Sequence, residues 1–232
     1  MKRSERNSYI NLVYQEGKFI NHNISPATFT RLLYLSTYID KDNRIDVPRD
    51  SIRLLLGLSD RTYHRFIKEV IDNNLLIDKD NEYYVNDSFV VKNVPVTANK
   101  LIDKKYMRAY NDIIRDLYKS HHVSEHVKIA YLYWMIPFVS IKYNVLCHNP
   151  QETNLNLIQP MKIKEYCSLI GYSCDNYRRF KAEMLKLTTR KSFVVSFIDN
   201  SYGSFCFINP KVFYGGHLND TRYITVLTNF KK

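Results

Sequence analysis

A ten-residue pattern occurs twice in this chain, and the repeat limits the fold more than any other feature of the sequence. Residues 57–66 read GLSDRTYHRF, and residues 171–180 read GYSCDNYRRF. The identical pairs are Gly57/Gly171, Ser59/Ser173, Tyr63/Tyr177, Arg65/Arg179 and Phe66/Phe180. Because self-similarity of this kind marks a duplicated structural unit, the sequence predicts two copies of one fold.

The first copy has the order helix, short strand, helix, tight turn, helix and hairpin. Glycine ends a helix with positive φ, and a serine two residues later can cap the next helix. The predicted elements are a helix opened by Ser25 and Pro26, a strand over 44–47, a helix from Pro48 to Gly57, a helix over 60–73 capped by Ser59, and a hairpin of 75–77 with 83–85. This order is that of a winged helix-turn-helix domain.

The second copy repeats the order after a longer helical segment. Its predicted elements are helices over 101–120 and 123–136, a polar loop over 144–159, helices over 161–170 and 173–187, and a hairpin of 193–198 with 204–208. The predicted fold is therefore mainly α with small β-hairpins, an α+β chain. It would hold two tandem winged helix-turn-helix domains, residues 1–98 with an N-terminal extension and residues 99–232.

The chain is basic, with 34 lysine and arginine residues against 23 aspartate and glutamate residues and a net charge of +11. Residues 1–100 contribute 15 − 13 = +2, so residues 101–232 contribute +9. This balance favours a polyanionic partner, of which double-stranded DNA is the simplest. The second half should then dominate the salt-dependent part of binding. A surface charged only for solubility accounts for the same numbers.

Side chains on the third helix of each copy are the candidate DNA-binding residues. In a winged helix-turn-helix this helix lies in the major groove, where arginine and asparagine can read base edges. Serine at a helix start can bind phosphate. The predicted set is Ser59, Arg61, Thr62, His64, Arg65 and Lys68 in the first copy, and Ser173, Asn176, Arg178, Arg179 and Lys181 in the second, with Arg190 and Lys191 at the base of the second hairpin.

Two observations distinguish stronger from weaker candidates in this set. An exposed cation on a helix is more often simply solvated, and the recurrence of Arg65 and Arg179 is what favours a function for that pair. The first hairpin tip carries Asp78, Asp80 and Glu82, which repel phosphate. We therefore expect the second hairpin to contact DNA more than the first.

The sequence carries no sign of catalysis, metal binding or membrane insertion. His122 and His126 could share a helix face, but they do not form an HExxH motif, and the four cysteines lack CxxC spacing. No phosphate-binding loop or GxSxG motif is present. The prediction is a protein that is not an enzyme, has no cofactor or metal, and keeps its thiols reduced in the cytoplasm. No apolar stretch reaches membrane-spanning length, so no membrane partner is expected.

Three segments carry a family resemblance: residues 40–44 (DKDNR), the helix pair joined by Gly57-Leu58-Ser59, and residues 207–216 (FINPKVFYGG). Together they resemble winged-helix replication proteins of Gram-positive plasmids and phages, in particular the RepL-type initiators. The last segment is similar to the Asn-Pro-aromatic-Gly signature that ends the wing in that family, and residues 84–87 are a version without proline. The resemblance implies DNA binding by Arg61, Arg65, Lys68, Arg178, Arg179 and Lys181.

The chain departs from a one-domain family by having two units, which leaves the biological role open. We expect a sequence-specific double-stranded DNA-binding protein, a monomer or dimer, that acts as a phage or plasmid replication initiator or as a transcription regulator. Replication or transcription proteins would be its further partners. The alternative is a protein-interaction adaptor in a replisome or RNA polymerase complex, a role that the nearly neutral first half would suit.

Overall fold

Runs of helices are followed by runs of strands along the chain, which gives an α+β fold. The computed structural model describes residues 8–18, 23–92, 101, 103–189, 192–216 and 230. Its first elements are β1 (Tyr9–Tyr14), α1 (Pro26–Ser36), α2 (Arg49–Leu55), α3 (Asp60–Asp72), β2 (Leu76–Lys79), β3 (Glu82–Val85) and β4 (Val90–Lys92). They are followed by β5 (Lys105–Tyr110), α4 (Asn111–Ser120), α5 (His126–Tyr133), α6 (Ile163–Leu169), α7 (Tyr177–Leu185), β6 (Thr188–Thr189), β7 (Ser192–Phe193), β8 (Val195–Asn200), β9 (Gly203–Ile208) and β10 (Phe213–Tyr214).

A four-stranded antiparallel sheet joins the two halves of the chain. Its strand order is β10-β5-β1-β4, so the central pair combines the first strand of each half. The predicted domain boundary after residue 98 falls in segment 93–100, which lies outside the described residues. The described strands on either side of that segment belong to this one sheet.

The predicted helix over 101–120 is wrong in its first half, and β1 was not anticipated at all. Residues 105–110 form β5, and α4 begins only at Asn111. In β5 the fully buried Met107 and Ala109 alternate with partly exposed neighbours, which is the period of a strand. Residues 105–110 pair with β1 on one side, and Arg108 and Ala109 pair with β10 on the other, and these partners distant in sequence left no local signal for a strand.

The predicted helices and hairpin of the first copy are confirmed. The Ser25 side chain accepts a hydrogen bond from the Thr28 amide at 3.3 Å and so caps α1. The helices α2 and α3 flank Gly57, and the hairpin of β2 and β3 follows with Leu76 opposite Val85. We call α1 through β4 the first unit.

The second unit, α5 through β10, follows the same order with local differences. The helix predicted over 123–136 ends at Tyr133 and is followed by a 3-10 turn over Ile136–Phe138 that contains Pro137. The predicted loop over 144–159 contains one 3-10 turn. The hairpin of β8 and β9 pairs Val195 with Ile208, and β6 and β7 form a small additional hairpin before it.

The apolar core runs without a break between the two units. Helix α1 packs against α5, where the rings of Phe29 and Trp134 meet edge to face at 5.8 Å. The Thr30 hydroxyl donates a 2.7 Å hydrogen bond to the backbone oxygen of His126. Both units therefore contribute to one buried cluster.

A buried asparagine clamps the hairpin of the first unit to the central sheet. Asn43 has a φ of 65° and a relative exposure of 2%. Its side-chain amide donates to the backbone oxygens of Val85 at 3.3 Å and Val90 at 2.7 Å. Its side-chain oxygen accepts from the Lys92 amide at 3.1 Å. One side chain thus fixes the end of β3 relative to β4.

Asn144 performs the same task in the second unit. It has a φ of 50° and is fully buried. Its side-chain amide donates to the backbone oxygens of Ile208 at 3.2 Å and Phe213 at 2.9 Å. Ile208 ends β9 and Phe213 begins β10, so the two asparagines occupy equivalent places in the two units.

Candidate nucleic-acid interface

The turn between the second and third helices has the same geometry in both units. Gly57 and Gly171 have φ values of 64° and 70°, a conformation in which a side chain is strained. Leu58 then turns inward and is buried, while Tyr172 packs edge to face on the Phe180 ring at 5.2 Å. The repeated glycine therefore has a structural cause, since it reverses the chain into the third helix.

Ser59 takes the predicted N-cap position of α3, but its side chain does not accept the predicted hydrogen bond from a helix amide. Its hydroxyl donates instead to the Thr62 hydroxyl at 3.0 Å. Ser173 precedes a 3-10 turn over Cys174–Asn176 and also makes no side-chain cap. Both serines are exposed at the helix start.

Helix α3 presents a cationic face opposite its buried face. Phe66 and Val70 are buried, whereas Arg61, His64 and Arg65 are exposed. Within the described part of the chain these three side chains make no salt bridge or hydrogen bond. The nearby predicted residue Lys68 is also exposed but forms a 2.7 Å salt bridge with Asp72. Arg61, His64 and Arg65 can therefore reach a ligand without first breaking an ion pair.

Tyr63 lies at the edge of this face and is half-buried. Burial raises the pKa of Tyr63 to about 12, so its hydroxyl remains protonated at neutral pH. Its ring lies 5.9 Å from the His64 ring.

Helix α7 differs, because carboxylates hold two of its three predicted cations. Arg179 forms a 2.9 Å salt bridge with Glu183 one turn further on, which raises the pKa of the guanidinium. Arg178 is exposed, and its guanidinium lies 5.9 Å from the Tyr177 ring. Arg178 is therefore the α7 cation that remains clear of carboxylates among the described residues. Asn176, at the start of α7, is also exposed.

Lys181 connects α7 to the second hairpin. Its Nζ lies 2.6 and 2.8 Å from the two carboxylate oxygens of Asp199, and its side chain is only 16% exposed. The same hydrogen bond holds the pKa of Asp199 below its usual value. Lys181 also lies 5.3 Å from the centre of the Phe197 ring. This lysine positions the hairpin against the helix and offers little charge to solvent.

The first unit makes the corresponding connection with an arginine. Arg49, at the start of α2, donates to both carboxylate oxygens of Asp78 at 2.8 and 2.7 Å and lowers the pKa of that carboxyl. Its guanidinium also lies 4.2 Å from the centre of the Tyr83 ring. Both hairpins are thus fixed to their helices by an ion pair and an aromatic ring.

The two hairpin tips differ in chemistry, as the sequence predicts. Asp78, Asp80 and Glu82 are exposed on the first hairpin. The second tip exposes Tyr202, which is 78% accessible, while the Asn200 side chain accepts the amides of Tyr202 and Gly203. The predicted contacts Arg190 and Lys191 lie outside the described residues.

The sequence-based selection of candidate residues did not anticipate the ion pairs of Arg179 and Lys181 on α7. The spacing of Arg179 and Glu183 on one helix is a signal that the sequence offers. The pairing of Lys181 with Asp199 offers no such signal, because it depends on how the hairpin folds back on the helix.

His122 and His126, the pair that could share a helix face, do not converge on a metal site. His126 is buried, and its Nε2 lies 3.1 Å from the backbone oxygen of Tyr118. His122 is exposed, and its Nδ1 accepts the Ser124 amide at 3.3 Å. Across the residues that the structure describes, no group of three His, Cys, Asp or Glu side chains is placed to bind a metal. The described helices also include none that is both long and apolar enough to cross a bilayer.

The starts of α3 and α7 therefore carry exposed Arg, His and Asn side chains together with the exposed carboxylates of Asp60 and Asp175. Comparisons of the whole chain with protein families, with curated proteins and with solved structures found no match to any of them.

Proposed function

We propose that this chain is a cytoplasmic, sequence-specific double-stranded DNA-binding protein built from two winged helix-turn-helix domains. One observation carries the proposal: two units with the same glycine turn each present a helix face with an arginine that pairs with none of the described carboxylates. These are Arg61 and Arg65 on α3 and Arg178 on α7. The proposal includes no catalytic step, metal or cofactor.

Charge and geometry together favour DNA over other polyanions. The net charge of +11 provides a long-range attraction to phosphate, but it does not distinguish one polyanion from another. A helix narrow enough for the major groove, with arginine and asparagine near its start, adds the means to read base edges. In this account α3 contributes at least as many base contacts as α7, although the second half of the chain carries more charge.

The biological role that we propose is that of a phage or plasmid replication initiator or a transcription regulator. The resemblance to RepL-type initiators at residues 40–44, 57–59 and 207–216 supports this class. The two roles differ in what binding does to DNA. An initiator should distort an AT-rich origin beside its sites, whereas a regulator should occupy an operator and leave the duplex paired.

A second candidate function has a specific observation in its favour. Asp78, Asp80 and Glu82 are exposed on the first hairpin and make it unsuited to phosphate. Arg49 holds Asp78 and Arg44 holds Glu82, so Asp80, whose partner Lys79 is 3.9 Å away, is the carboxylate most open to a basic protein surface. The first unit would then serve as an adaptor for a replication or transcription protein. DNA binding confined to the second unit would support this function.

Selection from a random DNA library distinguishes these functions. The full chain is incubated with the library at about 150 mM salt, where non-specific phosphate contacts are weak, and retained DNA is sequenced. We expect enrichment of a defined motif that depends on both α3 and α7. Retention without a motif would contradict sequence-specific binding. A motif that is unaffected by Arg65→Ala would indicate that the first unit is an adaptor.

A further inference from the structure

The pairing of the central sheet identifies which residues of the two units are equivalent. The asparagine clamps make Val90 and Phe213 equivalent, since each accepts the side-chain amide of Asn43 or Asn144. In the sheet, Val90 lies opposite Leu12 of β1, and Phe213 lies opposite Ala109 of β5. Leu12 and Ala109 are therefore equivalent, and β1 corresponds to β5.

These two equivalent strands are neighbours and antiparallel, and their register is symmetric. The central pairs are Ile10–Ala109, Asn11–Arg108 and Leu12–Met107. Because Ile10 is equivalent to Met107 and Leu12 to Ala109, exchanging equivalent residues turns the pair Ile10–Ala109 into the pair Leu12–Met107. The pair Asn11–Arg108 is turned into itself. The sheet thus has an approximate two-fold axis that passes through this pair perpendicular to its surface. A symmetric homodimer has the same kind of interface, but here one chain supplies both sides.

Helices α1 and α5 obey the same axis, whereas α4, between β5 and α5, has no counterpart among the described residues. The bridge between Ile39 and Ile45 follows α1, and the bridge between Val139 and Leu146 follows α5, so α1 and α5 are equivalent. These two helices pack against each other, as equivalent elements beside a two-fold axis do. Because each unit is tied to the sheet by the same asparagine clamp, the axis also relates α3 to α7.

We propose that the DNA target is an imperfect inverted repeat with one fixed spacing, and that a single chain occupies the whole site. This inference rests on the proposed function, because it specifies the DNA that the same two helices bind. Two readers related by a two-fold axis can contact one duplex equivalently only if the half-sites are related by the two-fold axis of the DNA. Two domains joined in tandem without such an axis would instead allow direct repeats.

The two half-sites must differ in sequence, because the readers differ. Equivalent positions at the starts of the two third helices carry Arg61 and Asp175, Thr62 and Asn176, and His64 and Arg178. Asp175 and Asn176 lie in the 3-10 turn that precedes α7. Arginine favours guanine and asparagine favours adenine in the major groove. The two DNA half-sites are therefore related by two-fold symmetry in position, but their base sequences are only partly the same.

The spacing is fixed because the units share a sheet and a core. A flexible linker between them would tolerate several spacings at a modest cost. Here a change of spacing requires breaking the pairs between β1 and β5 or the packing of α1 on α5. Half-sites displaced by half a helical turn would be reached by one helix only.

The first test compares the motifs selected by three forms of the full chain. The wild type should select two inverted half-motifs at one spacing. Arg65→Ala should lose base preference in one half only, and Arg178→Ala should lose it in the other half only. A direct repeat, or both substitutions acting on the same half, would overturn the two-fold arrangement and leave sequence-specific binding intact. Selection without any motif would overturn the proposed function as well.

The second test uses duplexes made from the selected site. We expect that inserting five base pairs between the half-sites, or reversing one half-site, weakens binding about 100-fold, to the affinity of a single half-site. A duplex with the spacer sequence changed at constant length is the control and should bind as the original does. The mass of the complex should correspond to one chain per duplex. Equal affinity for the inserted and original duplexes would overturn the inference, as would two chains per site.

Discussion

Replacing Asn43 with alanine tests how the first unit is attached to the central sheet. The substitution leaves the backbone oxygens of Val85 and Val90 and the amide of Lys92 without their side-chain partner. A buried polar group that loses its partner costs about 1–2 kcal/mol, and an alanine at φ of 65° adds about 1 kcal/mol. We therefore expect Asn43→Ala to lower the free energy of unfolding by about 4–7 kcal/mol, a large share of the roughly 5–15 kcal/mol typical of a domain.

Urea unfolding, followed by circular dichroism and by the fluorescence of Trp134, measures this cost. Trp134 is the single tryptophan and lies at the contact between α1 and α5, so it reports on the shared core. Asn43→Gly is the matched control and should lose about 1 kcal/mol less, because glycine accepts the left-handed backbone. Asn144→Ala should cost less than Asn43→Ala, since the Asn144 side-chain oxygen has no partner among the described residues. A loss below about 1 kcal/mol for Asn43→Ala would refute the clamp.

Three further substitutions test individual contacts. Lys181→Met should lower the free energy of unfolding by about 1 kcal/mol or less at neutral pH. Because Lys181 lowers the pKa of Asp199, the difference in stability between wild type and variant should disappear in urea titrations as the pH falls below the ordinary aspartate pKa of about 3.9. Burial lowers the pKa of His126, so the unfolded chain takes up its proton first; the stability of the wild type should fall as pH drops below about 6.5, and His126→Gln should make that fall shallower in the same titrations. A Cβ at Gly57 or Gly171 would meet no atom within 4 Å, so alanine at either position should cost about 1–2 kcal/mol in thermal or urea unfolding from backbone strain alone, and asparagine should cost less.

The sequence predicted the parts of the fold in which local chemistry and tertiary structure agree. The turn at Gly57 and Gly171 needs a positive φ, and the following helices need Phe66 and Phe180 on their buried faces. Both requirements fall within ten consecutive residues, and neither copy has an insertion in that stretch. The two copies therefore have identical residues at matching positions, and the repeat can be recognised in the sequence.

The central sheet could not be predicted in this way, because most of its equivalent positions differ in residue type. Leu12 corresponds to Ala109, and Val90 corresponds to Phe213, and a sheet only requires that such residues be apolar and buried. Residues 148–160 also have no counterpart in the first unit, so the offset between Asn43 and Asn144 differs from the offset between Gly57 and Gly171. The role of the two clamp asparagines emerges only once the hairpin and the following strand meet.

For the candidate site, helical periodicity predicted which side chains are exposed but not which are available. Arg65 and Arg179 occupy matching positions on α3 and α7, yet Arg179 is held by Glu183 and Arg65 is not held by any described carboxylate. Lys181 is nearly covered because β8 places Asp199 beside it. Whether an exposed cation is free to bind a ligand depends on carboxylates that can be distant in sequence, so only the structure shows it.

The affinity of the full chain for its selected duplex, measured for the wild type, Arg65→Ala and Lys79→Ala, tests the central claim most directly. Lys79 is an exposed cation on the acidic first hairpin, so its substitution matches the change in net charge without touching α3. We predict that Arg65→Ala weakens binding to the selected duplex about 5- to 150-fold, equivalent to 1–3 kcal/mol, while Lys79→Ala leaves it nearly unchanged. Equal effects of the two substitutions on a folded chain would mean that only net charge attracts DNA, and would contradict recognition by α3.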